Sequence, residues 1–545
     1  MERAGASERR GLARRAGVVS AAVLSSRFLG LVREQVFATC FGAGRELDSF
    51  VTAFRIPNLF RDLFAEGALS AAFVATFTQA EARRGAGAAW RLANLVVNAL
   101  AVIVGLVCVA GIVWAPFITT AIAPGFETIP GKTALTIHLT RIMFPFLLLI
   151  ALAAVAMGIL NTRNRFGIPA AASTFFNLGS VVGGLGCAWW LAPDYFAALR
   201  SGSLVEPAAA ERAITGMAVG TLIGGLCQLL VQVPSLRRVG YRYQPLLSFR
   251  DPGVQQVLRL MAPATIGAAA VQVNVFVNSN FASFLGDGPV SWLNVAFRFM
   301  QLPIGLFGVA VGTVALPALA GHVASGDRAA LSRTLRQSLE MIAVLCIPAA
   351  AGLALYGVPV IGLIYEHGRF GHTDTIAAAH ALTAYAIGLA GYAGIKVLAP
   401  AFYALDDART PMLVSIVSIV VNLTLNWTLV HVLGLGHVGL ALSTSAVALG
   451  NFVLLYLFLR RRIGPFGGRL GATLLRIVVA TAVMVGFGAA VDTLLAPRLP
   501  AATPAVRYAL ALGIEGPLCV VLFVLVAQRL GVALPWGPRP SADRD

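Results

Sequence analysis

Charge is what this sequence has least of. Only 12% of its 545 residues are Asp, Glu, Lys or Arg, against roughly 25% in a soluble domain. That leaves no room for a large soluble domain. Acids are scarcer still, 24 against 41 Lys and Arg. The loops are short and lack paired carboxylates, which argues against an enzyme acting on polyprenyl phosphates. The six cysteines (Cys40, Cys108, Cys187, Cys227, Cys346 and Cys519) are scattered through apolar segments and form no C-x-x-C. They read as small packing residues, and no zinc or dithiol site is indicated. A nucleotide-binding loop is also missing. Gly125 to Thr133 imitates one, but five residues separate Gly125 from Gly131 where the motif needs four, and no strand precedes it. Two further clusters carry little. Asp406-Asp407 stands alone before Arg409 and Thr410-Pro411 and reads as a turn or cap. His367, His372 and Asp374 share one outer loop, where solvation is the plainer reading. No metal and no cofactor are expected.

What is abundant is apolar sequence: 58% hydrophobic residues and a mean hydropathy of +0.81. A helix needs about 20 mostly apolar residues to cross the hydrocarbon core. Fourteen such spans are expected, at about residues 16–42, 48–80, 92–115, 134–160, 170–192, 213–233, 255–284, 290–319, 331–354, 377–404, 411–432, 437–459, 471–494 and 507–530. With the N-terminus in the cytoplasm, 26 of the 41 basic residues fall on the inner side and 7, among them Arg45 and Lys132, on the outer. That bias fits the positive-inside rule and puts both termini in the cytoplasm. Arg3, Arg9, Arg10, Arg14 and Arg15 resemble the start of a signal peptide. Arg27 and Arg33 interrupt the apolar stretch behind them, so a cleaved signal is not expected. The pI of about 10.5 does not imply a nucleic-acid partner, because the basic residues sit in short loops rather than in a basic domain.

The chain repeats itself at an offset of about 243 residues. Ala53-Phe54-Arg55 recurs as Ala296-Phe297-Arg298, Leu63-Phe64 as Leu306-Phe307, and Gly42-x-Gly44 as Gly286-x-Gly288. Spans 1–6 map onto 7–12, an even number, so the copies share one orientation. Such parallel repeats occur in transporters, whose sites lie near the bilayer midplane. The expected division is an N-terminal lobe at 1–240, a C-terminal lobe at 241–465 and an appendage of two helices with a tail at 466–545. Within this frame the spans carry charge, which is costly at that depth and marks function by default. Span 1 holds Arg27, Arg33 and Glu34. Span 2 holds Asp48, Arg55, Asn58, Arg61, Asp62 and Glu66, and span 8 holds Arg298 and Gln301. Snorkelling and internal pairing account for some of these. A guanidinium fork suits bidentate phosphate binding, so arginines in both repeats point to a carrier of anionic cargo. A multidrug antiporter would want buried acids facing cationic drugs, and a scaffold gives no reason for the arginines.

At these residues the chain resembles the MurJ/MviN family of lipid II flippases, within the multidrug/oligosaccharidyl-lipid/polysaccharide exporter superfamily. The resemblance rests on Ser26-Arg27 through Arg33-Glu34, Asp48 through Arg61 to Ser70, Ala123-Pro124-Gly125-Phe126, Asn161-Thr162 through Pro169, Phe281 to Leu285, and Lys396 to Tyr403. It covers nearly the whole chain. It implies an all-α membrane protein of fourteen helices. Two parallel six-helix repeats form a V-shaped cationic cavity, and two extra C-terminal helices form a lipid groove. It also implies a transporter rather than an enzyme, in the bacterial cytoplasmic membrane. The cargo would be the undecaprenyl-diphosphate-linked peptidoglycan precursor, moved from the inner to the outer leaflet by alternating access. Lipid II, membrane lipids and the cell-wall synthesis machinery are the partners implied. Cavity positions of the family match Arg27, Arg33, Asp48, Arg61 and Arg298; Arg55, Asn58 and Glu66 complete the candidate set. Phe297 and Gln301 stand where relatives can carry acids around Arg298.

Overall fold

The computed structural model describes residues 2–65, 68–466, 470–495 and 503–535. The side chains of 2–20, 56, 59–65, 68–71, 262–271 and 495 fall outside that description. All regular structure among the described residues is helical. The backbone divides into two compact units, Met1–Gly288 and Pro289–Asp545. In the first, α1 (Glu2–Phe41), α2 (Arg45–Ala65), α3 (Ala68–Val113), α4 (Ala115–Ile122), α5 (Lys132–Met143) and α6 (Phe146–Thr162) are followed by α7 (Gly167–Leu191), α8 (Pro193–Ser201), α9 (Pro207–Leu230), α10 (Val233–Arg238) and α11 (Pro252–Ser283). The second holds α12 (Pro289–Pro303), α13 (Val309–Ala324), α14 (Arg328–Leu355), α15 (Gly357–Tyr365), α16 (His372–Ile387) and α17 (Leu389–Ala404). It continues with α18 (Arg409–Trp427), α19 (Gly436–Ile463), α20 (Leu470–Leu495), α21 (Pro504–Leu510) and α22 (Gly516–Arg529).

Among the described residues, ten helical stretches are long and apolar enough to cross a membrane, eleven when the pair α16–α17, bent by 41°, counts as one span. The other three expected spans fall on α1, α2 and α11, each of which includes side chains outside the description. Fourteen therefore remains the reading of the sequence. The helices leave large apolar side chains uncovered, among them Phe117, Trp190, Val314 and Val420. In water that would be a liability; against lipid tails it is the solvated state.

Two of the expected spans have local features of note. Within the stretch 48–80, α2 is described as far as Ala65 and α3 from Ala68, with 66 and 67 outside the described residues. Then α3 breaks at Gly85, whose φ of 82° is left-handed and strained for any residue with a Cβ. Span 8 bends where its glycines and proline allow. After Pro303 a π-helical turn, Ile304–Gly308, joins α12 to α13, and a Cβ on Gly312 would stand 2.5 Å from the Lys396 carbonyl oxygen of α17.

Small residues also set the closest helix contact of the first unit. Gly216, Gly220 and Gly224 recur every four residues on α9 and face Ser180, Gly184 and Ala188 of α7. A Cβ on Gly220 would lie 2.2 Å from the Gly184 Cα. Such small-x-x-x-small faces let membrane helices pack backbone to backbone, where dispersion replaces the missing hydrophobic drive. Beside this seam, Phe73, Phe77, Phe146 and Phe176 build the apolar centre of the unit.

Candidate functional site

The candidate residues of the first unit lie on α1 and α2 and are fixed by α5, α7 and α11. Arg33 on α1 is held against the bundle: its guanidinium lies 5.1 Å from the Phe176 ring centre of α7 and 3.6 Å from the Glu34 carboxylate. Arg27, less than two turns earlier, is exposed. The two arginines are thus in different settings, one packed and one accessible.

Asp48 lies in the first turn of α2, where the helix dipole favours an acid. It is wholly buried. Its Oδ2 accepts from the Lys132 Nζ at 3.0 Å and from the Gly288 N–H at 2.8 Å. Lys132, the first residue of α5, is likewise 0% exposed. It donates also to the Asp287 Oδ1 at 2.7 Å and to the Gly286 carbonyl at 3.2 Å, and its Nζ lies 4.2 Å from the Phe126 ring centre. A buried ammonium between two carboxylates therefore ties α2, α5 and the segment after α11 together. The sequence reading counted Lys132 among the outer-loop basic residues; the structure makes it the buried first residue of α5. Nothing within the loop marks it, because its partners come from 84 and 155 residues away. The neighbouring Gly125, singled out by the nucleotide-loop lookalike, has a packing reason: its N–H donates to the Ser283 Oγ at 3.0 Å, and a Cβ there would meet the Phe284 nitrogen at 2.5 Å.

Two helical turns beyond Asp48, Arg55 is half-buried and donates from Nη1 to the Ser279 Oγ of α11. Seven residues separate the two, so they share one face of α2, about 10 Å apart along the axis. That face is turned to α11 and its following segment. Asn58, one turn on, is partly exposed. Arg61 belongs to the backbone of α2, but its side chain lies outside the described residues, as does Glu66 entirely. In the second unit, Arg298 on α12 is exposed, as is Gln301 one turn later. Phe297 instead turns to α16, with its ring edge against Tyr385 at 5.4 Å. The first unit thus brings Asp48 and Arg55 onto one polar seam and leaves Arg27 accessible; the second leaves Arg298 accessible.

The remaining sequence clusters have local explanations. Asp407 caps α18: its Oδ1 accepts from the Thr410 N–H at 3.0 Å and its Oδ2 from the Thr410 hydroxyl at 2.8 Å. Arg462 of α19 donates to the same carboxylate. Together the Thr410 N–H, the Thr410 hydroxyl and Arg462 hold the Asp407 carboxyl below its ordinary range. Asp374 accepts from the Trp292 Nε1–H at 3.0 Å and from the Gly371 N–H at 3.1 Å, and His372 faces Glu366 at 3.2 Å.

Comparison with known proteins decides the family. The family model described as lipid II flippase MurJ matches residues 37–500. The chain belongs to the lipid II flippase MurJ family. A MurJ relative from Burkholderia cenocepacia, named lipid II flippase MurJ, is 37% identical over 449 residues, 82% of this chain and 83% of its own. Another, from Rhizobium meliloti, named probable lipid II flippase MurJ, is 34% identical over 529 residues, 96% of this chain and 94% of its own. Among solved structures, a lipid II flippase MurJ in an inward closed conformation superposes with a TM-score of 0.73 at 24% identity, covering 94% of this chain and 97% of that one. An inward-facing multidrug transporter of the MATE family gives 0.65 at 15% identity, covering 82% and 98%. These two show the fold. The protein is therefore a polytopic membrane protein with the MurJ fold.

Proposed function

We propose that this protein moves a polyprenyl-diphosphate-linked glycopeptide of the lipid II class from the inner to the outer leaflet of the bacterial cytoplasmic membrane by alternating access. The supporting observation is the family match across residues 37–500, which includes Arg61 and carries Arg55 and Arg298 at the repeated positions found in the sequence. On this reading Arg27, Arg61 and Arg298 hold the diphosphate. Their forked donors match phosphate oxygens in geometry as well as charge. Arg33 sets local charge from its packed position over Phe176. Asp48 and Arg55 govern how α2 is held to α11, with Asn58 and Glu66 completing the polar side of α2. The apolar helices α20 to α22 give the prenyl tail a path outside the polar site, with both termini in the cytoplasm and the cell-wall synthesis machinery as partner. No bond is made or broken in such a reaction, so the protein acts as a transporter.

Complementation tests the reading. In cells depleted of their own flippase, Arg27→Ala, Arg61→Ala and Arg298→Ala should each fail to restore growth while reaching the membrane at normal levels. Full complementation by all three would overturn the assignment.

A further inference from the structure

We propose that Glu515 is a proton-binding site inside the C-terminal helix pair, occupied in this conformation, so that the residue sits in the bilayer interior as the neutral acid. This rests on its surroundings and does not depend on the transport reading. Glu515 lies near the middle of the span Pro504–Arg529. It closes a π-helical turn, Ala511–Glu515, between α21 and α22. Pro517 follows after Gly516 and has no N–H to offer the preceding turn. Wide turns of this kind recur at functional sites.

The side chain is 4% exposed, and its Oε2 has no hydrogen-bond partner. Tyr356, between α14 and α15, and the acid Asp492 of α20 both act on its carboxyl group. The Tyr356 hydroxyl lies 3.3 Å from the Cys519 Sγ. A Cβ on Gly488 would stand 2.9 Å from that hydroxyl and 3.0 Å from that sulfur. Gly488 therefore lets α20 close over the group. The other titratable side chains on the elements packed here are Arg476 on α20, Tyr365 on α15, Arg507 and Tyr508 on α21, and Arg529 on α22. None of them is an ion-pair partner of Glu515 among the described residues.

An ionised carboxylate in this setting would hold its charge in a buried site with one oxygen unsatisfied, and the exposed acid Asp492 would add to that cost. That is the most expensive form a carboxyl can take. One bound proton removes the charge and turns an oxygen into a donor. A metal ion would serve less well. Hard cations want many oxygen ligands, and among the described residues no group of three metal-ligating side chains is placed to hold one.

Dicyclohexylcarbodiimide tests this, because it modifies a carboxyl in its protonated form within an apolar environment. The probe is applied to the full-length protein in phospholipid vesicles, and the modified residue is located by peptide mass spectrometry. Modification is expected at Glu515 in the native protein and is expected to vanish in Glu515→Gln. Its rate should fall about tenfold for each pH unit above the midpoint, as a one-proton equilibrium requires. The native protein alone decides the question if the variant does not fold. Absence of the modification at Glu515, a rate independent of pH, or protection by sodium ions at constant pH would each overturn the proposal.

Discussion

Replacing Lys132 with Met should cost the first unit more than any other single change at its polar seam. Lys132 and Asp48 are both wholly buried, 3.0 Å apart. Removing the cation leaves Asp48 inside the bundle with its charge uncompensated. Breaking a buried pair in this way costs about 3–5 kcal/mol. Asp287 also reaches Lys132, at 2.7 Å, but its side chain is 45% exposed. Water screens that pair, and Asp287→Asn should cost about 1 kcal/mol or less. The order of loss is therefore Lys132→Met first and Asp287→Asn last. Asp48→Asn falls between them, because Lys132 keeps Asp287. The double variant Lys132→Met with Asp48→Asn should recover part of the loss, with a coupling of about 0.5–3 kcal/mol. Thermal and denaturant unfolding of the purified protein in micelles reads these differences. Equal losses for Asp287→Asn and Lys132→Met, or strict additivity in the double variant, would refute the assignment of a buried pair.

Three further outcomes follow from particular contacts. Gly220→Ala should exceed the roughly 1–3 kcal/mol of ordinary overpacking, because its new methyl would meet backbone atoms of Gly184 at 2.2–2.4 Å. Gly186→Ala on α7, with nothing within 4 Å, should be neutral in the same unfolding assay. Arg61→Lys and Arg298→Lys should keep the charge but lose the fork. Transport should fall less than in the alanine variants, where one lost charge-assisted contact of about 1.5–3 kcal/mol weakens lipid II binding roughly tenfold to a hundredfold; equal activity of Lys and Arg would remove the geometric argument. Asp407 is held low in the folded state by the Thr410 N–H, the Thr410 hydroxyl and Arg462. Its stabilising contribution is therefore present above the ordinary aspartate value of 3.8 and lost as pH falls through the lower folded value. Hydrogen exchange in the first turn of α18 should rise only below that ordinary value, and Asp407→Asn should remove the dependence.

The sequence displayed the architecture well because its signals are local or periodic. Apolar stretches mark the spans, whereas the compact units part at Gly288 rather than at the lobe boundary of 240 expected from the repeat. The glycines of span 8 announce the π-helical turn and the approach to α17. Burial was less legible. Counting charges by loop could not show that Lys132 is buried, since the positive-inside rule tracks where a residue falls along the chain rather than what folds over it. Its acids, Asp48 and Asp287, come from distant segments. Glu515 was overlooked for the opposite reason. The stretch Pro504–Arg529 has a mean hydropathy of 2.4, and a single acid barely lowers such an average. The break at Gly85 falls in the expected link between the second and third spans, but its left-handed angle is not declared by one glycine among 56.

The central claim is that Arg27, Arg61 and Arg298 carry a diphosphate-linked lipid across the bilayer. Transbilayer movement of lipid II into the outer leaflet of vesicles holding the purified protein, compared with that of a neutral prenyl alcohol of equal tail length, tests it most directly. The account predicts fast movement of lipid II and little of the alcohol, with the difference erased in Arg27→Ala, Arg61→Ala and Arg298→Ala. Equal movement of both lipids by the native protein, or undiminished lipid II movement in all three variants, would contradict it.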